Sequence, residues 1–404
     1  VEEHIKQEGE RKMDYMKLVN EAKVLEWRRH MHRYPELSFQ EENTSSYIAE
    51  QLAEYPGVKI ICRIKTGIVA VLDSNKPGKT VALRADFDAL PIQEEADVEC
   101  KSQNDGVFHA CGHDCHAAIL LGAVDALYKI NNEGKLNGKV VFIFQHAEEL
   151  LPGGAKDIID DGVLHGLGID AFYAMHVFPN DPVGTVKCAP GIMSANTDIF
   201  RIDIQGKGSH GAKPEAGIDS LLVGTEVVQA LNFIVSRNVA ASNRAVLSVC
   251  KFHAGTAPNI IPDTASIEGT VRTMKPTVRD MIERKINEIS QHICAAYGAT
   301  CEVAYTRGYT AIENDEGLNE AFGKIATKAV PGIVLGGMEA MMGGEDFSAY
   351  QAIAPTLFVR LGVMPDSGEF FVNHHPKFVA NEKALPIGTA LYTAFAAEMC
   401  GINH

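Results

Sequence analysis

The chain has 404 residues, 46% of them hydrophobic, with 37 basic against 52 acidic side chains and a net charge of −15. That is enough apolar chain for a large core in two or three domains, and without any basic run it argues against nucleic acid and anionic membrane as partners. No apolar run reaches the ~18–20 residues of a membrane span, and nine scattered cysteines, without disulfide-like spacing, fit a reducing cytoplasm. The first residues, VEEHIKQEGERKMDYMK, are too polar and charged for a signal peptide or membrane anchor.

In chain order, helical periodicity covers 16–34, ended by Pro35, and resumes over 39–55. Short apolar runs follow at 68–72, 81–85, 140–144, 171–175 and 356–361, alternating with helical segments such as 116–128. Runs bounded by Gly, Pro and Asp in that alternation predict the buried strands of an α/β sheet, mixed or parallel, with helices on both faces. Between 197 and 305 the pattern reads strand, helix, strand, strand, helix, strand, a ferredoxin-like βαββαβ unit. Helix and strand signals of the first kind then return. The expectation is a mixed-sheet α/β catalytic domain of residues 1–195 and 308–404, with a satellite of residues 196–307 inserted between the two parts.

The segment His109-Ala-Cys-Gly-His-Asp-Cys-His116 packs three histidines and two cysteines into eight residues. A lone histidine is usually a core or surface residue. This density of imidazole and thiol instead points to a first-row divalent metal, Zn²⁺ above all. No second CxxC pair and no C-x₂-C…H-x₃₋₅-H pattern accompanies it, so further ligands must come from elsewhere, as in catalytic sites.

Three expected strands deliver such groups. Asp86 and Asp88 follow VALRA, His146, Glu148 and Glu149 follow VVFIFQ, and His176 follows AFYAM. In open α/β sheets, ligands gather at the carboxyl ends of strands. An isolated Glu-Glu pair is ordinarily a solvated surface pair. Between a buried strand and the turn LLPGG, one carboxylate can bind metal while its neighbour serves as general base toward the attacking water. Asn373-His374-His375-Pro376 adds a weaker imidazole signal, since surface His-His pairs are common.

The order RADFDALP, HACGHDCH, QHAEE, AMHV, GKGSHGAKPEAGID, GTAPNIIPD, GTVRT, GGEDF and NHHPKF resembles the dinuclear-metal amidohydrolases of the aminoacylase, hippurate-hydrolase and carboxypeptidase group. The likeness runs from about Trp27 to Phe395 and is strongest to the N-acyl-amino-acid and indoleacetyl-amino-acid hydrolase branch. The resemblance implies Cys111, His113, Glu149, His176 and His374 as ligands of two divalent metals (Zn, Mn, Co or Ni), with Cys111 bridging. It further implies Glu148 as general base and Asp86 and Asp88 as groups orienting the site. In the satellite it matches His210 as oxyanion stabiliser and Asn259 and Arg272 as grips on a substrate α-carboxylate, for which a planar guanidinium suits. Without the resemblance, His210 would read as a polar turn residue and Arg272 as a strand surface charge.

Two regions depart from the family pattern: around the glutamates, His146 stands in place of the usual proline and Leu150-Leu151-Pro152-Gly153-Gly154 in place of a glycine run, and near the C-terminus His375 stands in place of a small residue. The second leaves His374 and His375 as rivals, with motif alignment favouring His374. Cys115 and His116 are read as helix-face residues rather than ligands. The implied activity is hydrolysis of N-acyl-L-amino acids, with a dipeptidase or carboxypeptidase using the same machinery as the alternative. A metal-binding scaffold with a dead site would lack the base, and Glu148 is present. The satellite is expected to act as lid and association surface in a homodimer or homotetramer.

Overall fold

The computed structural model describes residues 13–403. Residues 1–12, where most of the polar N-terminal stretch falls, lie outside the described residues. The chain divides into two compact units, one of Val1–Gly191, Glu313–Glu339 and Ala349–His404, the other of Ile192–Ile312 and Ala340–Ser348.

The first unit is built on a mixed sheet. Six neighbouring strands of this larger sheet run in the order Val58–Ile64, Gly67–Asp73, Lys139–Gln145, Thr80–Asp86, Ala171–Phe178 and Thr356–Gly362. The first three pair antiparallel; from Lys139–Gln145 onward the pairs are parallel. Four central strands therefore point the same way and place their carboxyl ends on one edge. Thr80–Asp86 is buried at every residue, which requires cover on both faces of the sheet. The helices His113–Asn132, Leu385–Cys400 and Glu21–Arg33 pack on one another as part of that cover. Val58–Ile64 went unnoticed in the sequence because it lies at the sheet edge and exposes most of its side chains.

Helix boundaries follow local chemistry. The periodic stretch expected over 16–34 is two helices, Tyr15–Leu18 and Glu21–Arg33, because Asn20 leaves helical geometry and its side chain accepts the Lys23 N–H at 3.3 Å. The next helix begins at Glu42 rather than at 39, since Phe39 has φ +66°. The helix expected over 116–128 begins earlier. Gly112, at φ +88°, ends the incoming loop where a Cβ would meet Val177 Cγ2 at 2.4 Å, and His113 is the first helical residue.

The second unit holds a four-stranded antiparallel sheet in the order Ala245–Ala254, Thr264–Thr273, Asn196–Gln205 and Thr300–Arg307. The helices Ser220–Asn238 and Pro276–Ala296 pack on it around Phe200, Ile202, Leu231, Ile267 and Ile282. Residues 340–348, assigned by sequence to the first domain, group with this unit. Ala195 N–H donates to Gly343 O at 3.0 Å, Met341 N–H to Met193 O at 2.9 Å, and Arg244 to Ala340 O at 3.0 Å. Among the described residues no helix is long and apolar enough to cross a membrane.

Candidate metal centre

The donors of the first unit converge at the carboxyl edge of its sheet. Asp86 ends its strand, and Asp88 lies two residues beyond. Glu148 and Glu149 follow the end of Lys139–Gln145 by three and four residues. His176 lies inside Ala171–Phe178 rather than after it, near its carboxyl end. Cys111 precedes the His113 helix, and His374 comes from a loop whose backbone is anchored by donation from His374 N–H to Ala110 O at 2.8 Å.

Three overlapping donor groups have ligand atoms within 4.8 Å of one another: Cys111, His113 and His176; Cys111, Glu149 and His374; and His113, Glu148 and Glu149. Cys111 Sγ is 3.4 Å from His176 Nε2, and His374 Nε2 is 3.1 Å from Glu149 Oε1. The structure thus brings together all five residues implied as ligands, and Glu148 with them. His375 is absent from these groups. Its Nδ1 accepts the Lys377 N–H at 3.1 Å and its ring stacks on Phe371 at 4.5 Å.

Neighbours fix the imidazoles. His113 Nδ1 lies 3.0 Å from Asp88 Oδ1, and His176 Nδ1 lies 2.9 Å from Val177 O. In both rings the Nδ1–H donates, which leaves the Nε2 lone pair facing the cluster. His116, with Asp86 and His113, forms a fourth donor group, but both its ring nitrogens are engaged. Val177 N–H donates to its Nε2 at 3.0 Å and its Nδ1 meets Asp86 Oδ1. It holds the floor of the site rather than opening toward a cation. Asp86 is further held by Arg84 Nη1 at 2.8 Å, and Arg84 Nε donates to Gln145 Oε1 at 2.8 Å.

Electrostatics mark the cluster as short of positive charge. Burial pushes the Cys111 thiol well up, and the Glu149 charge adds to it. Burial opposes a charge on His113, yet Asp86 and Cys111 outweigh it and raise that imidazole well above its usual range. Burial drives His176 well down, toward the neutral ring a metal ligand needs. Burial also works against the Asp86 charge, but Arg84, His113 and His116 hold its carboxyl well below the carboxylate range. His113 Nε2 is buried with no hydrogen-bond partner, a costly state for a polar atom, while Glu149 Oε1 has the His374 ring 3.1 Å away. A soft thiolate, imidazoles and carboxylates gathered within 4.8 Å of one another are a donor set that fits first-row divalent cations.

In the second unit, Ser209–His210 pairs with Ile260–Ile261, and Gly211 N–H donates to Asn259 O at 2.8 Å, so His210 and Asn259 are neighbours. His210 is exposed and lines a cavity of about 520 Å³ with Ser209, Thr256 and Ile260. Arg272 is half-buried, bonded to Thr270 Oγ1 and to Val271 O at 3.1 Å. It lies eight residues along Thr264–Thr273 from the end beside the His210–Asn259 pair, about 26 Å of extended strand. The expectation that Asn259 and Arg272 grip one carboxylate is therefore corrected for a single chain, because the strand holds them at opposite ends.

Glu41 is the functional candidate that sequence reasoning missed. It is fully buried, and its carboxylate accepts the Ala147 N–H at 2.9 Å and the Thr66 hydroxyl at 2.7 Å. In sequence it is one acidic residue of an ordinary Glu-Glu pair before a helix, with no signal to distinguish it.

Residues 82–398 match the model of peptidase family M20/M25/M40. The chain is 43% identical over 309 residues to the N-acyl-L-amino acid amidohydrolase of Geobacillus stearothermophilus, covering 76% of this chain and 82% of that one. It is 37% identical over 393 residues to thermostable carboxypeptidase 1 of Saccharolobus solfataricus, covering 95% and 98%. Among solved structures, the YXEP protein of Bacillus subtilis, a dinuclear metal binding peptidase from the M20 family, superposes with a TM-score of 0.81 at 34% identity, covering 94% of this chain and 98% of that one.

Proposed function

The chain belongs to peptidase family M20/M25/M40, and on that premise we propose that this amidohydrolase cleaves N-acyl-L-amino acids into a carboxylate and a free amino acid. The observation that carries the reading is the convergence of Cys111, His113, Glu149, His176 and His374, with Glu148 beside them, around a His113 Nε2 that is buried with no hydrogen-bond partner. Cys111, His113, Glu149, His176 and His374 would hold two divalent cations, with Zn, Mn, Co and Ni all suited to mixed S, N and O donors. When bound, the cations polarise the scissile carbonyl and make water acidic enough to attack at neutral pH.

The remaining chemistry falls to the chain. The Glu148 carboxylate removes a proton from the attacking water as its oxygen bonds the carbonyl carbon, then delivers that proton to the leaving nitrogen as the C–N bond breaks. Asp88 and the Val177 carbonyl keep His113 and His176 in the tautomers that present Nε2. Arg272 and Asn259 bind the α-carboxylate and His210 donates to the oxyanion. With Arg272 at the far end of its strand from His210 and Asn259, these groups act on one substrate when two copies associate, each lending His210 and Asn259 to the other. The supporting feature is Ala245–Ala254, which edges its sheet and pairs only with Thr264–Thr273 among the described residues. All nine cysteines are free thiols, which supports a cytoplasmic location. The second reading, a carboxypeptidase, has its support in the likeness to the Saccharolobus enzyme.

A panel of N-acetyl and N-aroyl amino acids and dipeptides, assayed with metal content measured on the same sample, tests the proposal. Turnover of acyl amino acids with more than one metal equivalent per chain is expected. Preference for unblocked dipeptides would favour the second reading, and a metal-free active protein would end both. Mixing Arg272→Ala with His210→Ala protein tests the shared site. Exchanged dimers should regain about a quarter of wild-type activity, because half the dimers are mixed and each of those has one complete site. No recovery after demonstrated subunit exchange would confine the site to one chain.

A further inference from the structure

We propose that Glu41 is a positioning residue of the hydrolytic site: its buried carboxylate holds the turn at Ala147 that aims Glu148 and Glu149 at the same cluster. Successive residues of a strand face opposite ways. Yet Glu148 and Glu149, adjacent in sequence, have donor atoms within 4.8 Å of each other and of His113. The chain has left the strand Lys139–Gln145 here and turns just before the two glutamates at Ala147, which has φ +49°, a left-handed conformation uncommon outside glycine. Such a conformation persists only when its surroundings enforce it.

The enforcing contacts come from the segment before the helix Glu42–Ala53 and from Asp88, just past the strand Thr80–Asp86. Glu41 Oε1 accepts the Ala147 N–H at 2.9 Å, and Asp88 Oδ2 accepts the Glu149 N–H at 3.0 Å. The N–H groups on either side of Glu148 are thus each tied to a buried carboxylate. Thr66 Oγ1 donates to Glu41 Oε2 at 2.7 Å, and Ser38 Oγ to Asp88 Oδ2 at 2.7 Å. On the same side the Phe39 ring meets His146 edge-on at 5.7 Å, while a Cβ on Gly154 would collide with His146 O at 1.8 Å. The turn is therefore enclosed from both directions.

The ordinary explanation for an acidic residue at this position is a cap on its own helix. Glu41 occupies the N-cap of Glu42–Ala53, but its side chain makes no capping bond there. The carboxylate reaches across 106 residues of sequence to Ala147 instead. A buried carboxylate with Asp88 nearby is expensive unless its hydrogen bonds are made, and Glu41 makes them to this turn and to Thr66.

The proposal rests on Glu148 as base and Glu149 as ligand, so variants of all three are measured together. Glu41→Ala should lower kcat about 10–100-fold, the range for partners that orient metal ligands, with KM within about threefold. It should also shift the visible spectrum and weaken the binding of added Co²⁺. Glu41→Gln keeps an oxygen for the Ala147 N–H and should recover kcat to within about threefold of wild type. Should Glu41→Ala not fold, Glu41→Asp replaces it, expected to lose turnover because the shorter arm withdraws from Ala147. Wild-type kcat and Co²⁺ spectrum in Glu41→Ala or Glu41→Asp would overturn the proposal, as would equal impairment of Glu41→Gln and Glu41→Ala. If Glu148→Gln and Glu149→Gln leave turnover and metal content intact, the reading of the site itself fails. If those two are impaired and Glu41→Ala is not, only the positioning role of Glu41 fails.

Discussion

The strand Thr80–Asp86 is buried at every residue, whereas Thr264–Thr273 is buried at every second one. Where both faces of a strand are covered, a charged group at its end cannot turn to water. Arg84 and Asp86 are accordingly locked into an ion pair that continues to His116 and His113. Where one face is open, a charge placed on it is unremarkable. Arg201, Asp203, Lys251 and Glu268 form such exposed pairs in the second unit, worth little to stability. A charged residue on the fully covered strand Thr80–Asp86 is therefore stronger evidence of chemistry than one on the open face of Thr264–Thr273.

The largest expected effect sharpens that contrast. Glu148→Gln should cut kcat by about 10²–10⁴, the usual contribution of a general base, while elemental analysis finds its metal retained. If Glu148→Gln lost metal and Glu149→Gln kept it, the two roles would be exchanged. Next, Cys111→Ala should lower bound metal below one equivalent, whereas Cys115→Ala, a buried helix residue outside the donor groups, should not. Equal loss in both would remove the case for Cys111 as a shared ligand.

In the second unit the effect should be smaller and depend on substrate. Arg272→Ala should cost about 1.5–3 kcal/mol in kcat/KM on substrates with a free carboxylate, the range for a charge-assisted bond, and almost nothing on amidated ones. Equal impairment on both would make Arg272 a structural residue, in line with its bonds to Thr270 and Val271.

The smallest effect concerns stability. Burial pushes Glu41 up to about 7, from an ordinary 4.5. Between those values the folded protein keeps a proton that the unfolded chain releases, so this stabilising contribution is full below about 4.5 and is lost as pH rises through 7. Glu41→Gln removes the dependence. In chelator-treated protein it should match wild type near pH 5 and exceed it by on the order of 1–3 kcal/mol near pH 8, at about 1.4 kcal/mol per unit. Denaturant curves showing the same difference at both pH values would refute it.

What the sequence by itself determined was whatever short-range pattern encodes. Apolar runs bounded by turn residues marked the central strands, and the HACGHDCH and Glu-Glu clusters marked the donors, because ligand chemistry is a property of residue type and spacing. Even there, Asn20 and Phe39 moved helix starts that periodicity had smoothed over. Only the tertiary structure decided the rest. It set the His374 ring against Glu149 and stacked the His375 ring on Phe371. It separated Arg272 from Asn259 along a strand, moved 340–348 into the second unit, and brought Glu41 to the turn at Ala147. These outcomes depend on which distant segments meet, and that information is carried by the packing of the whole core rather than by any window of residues.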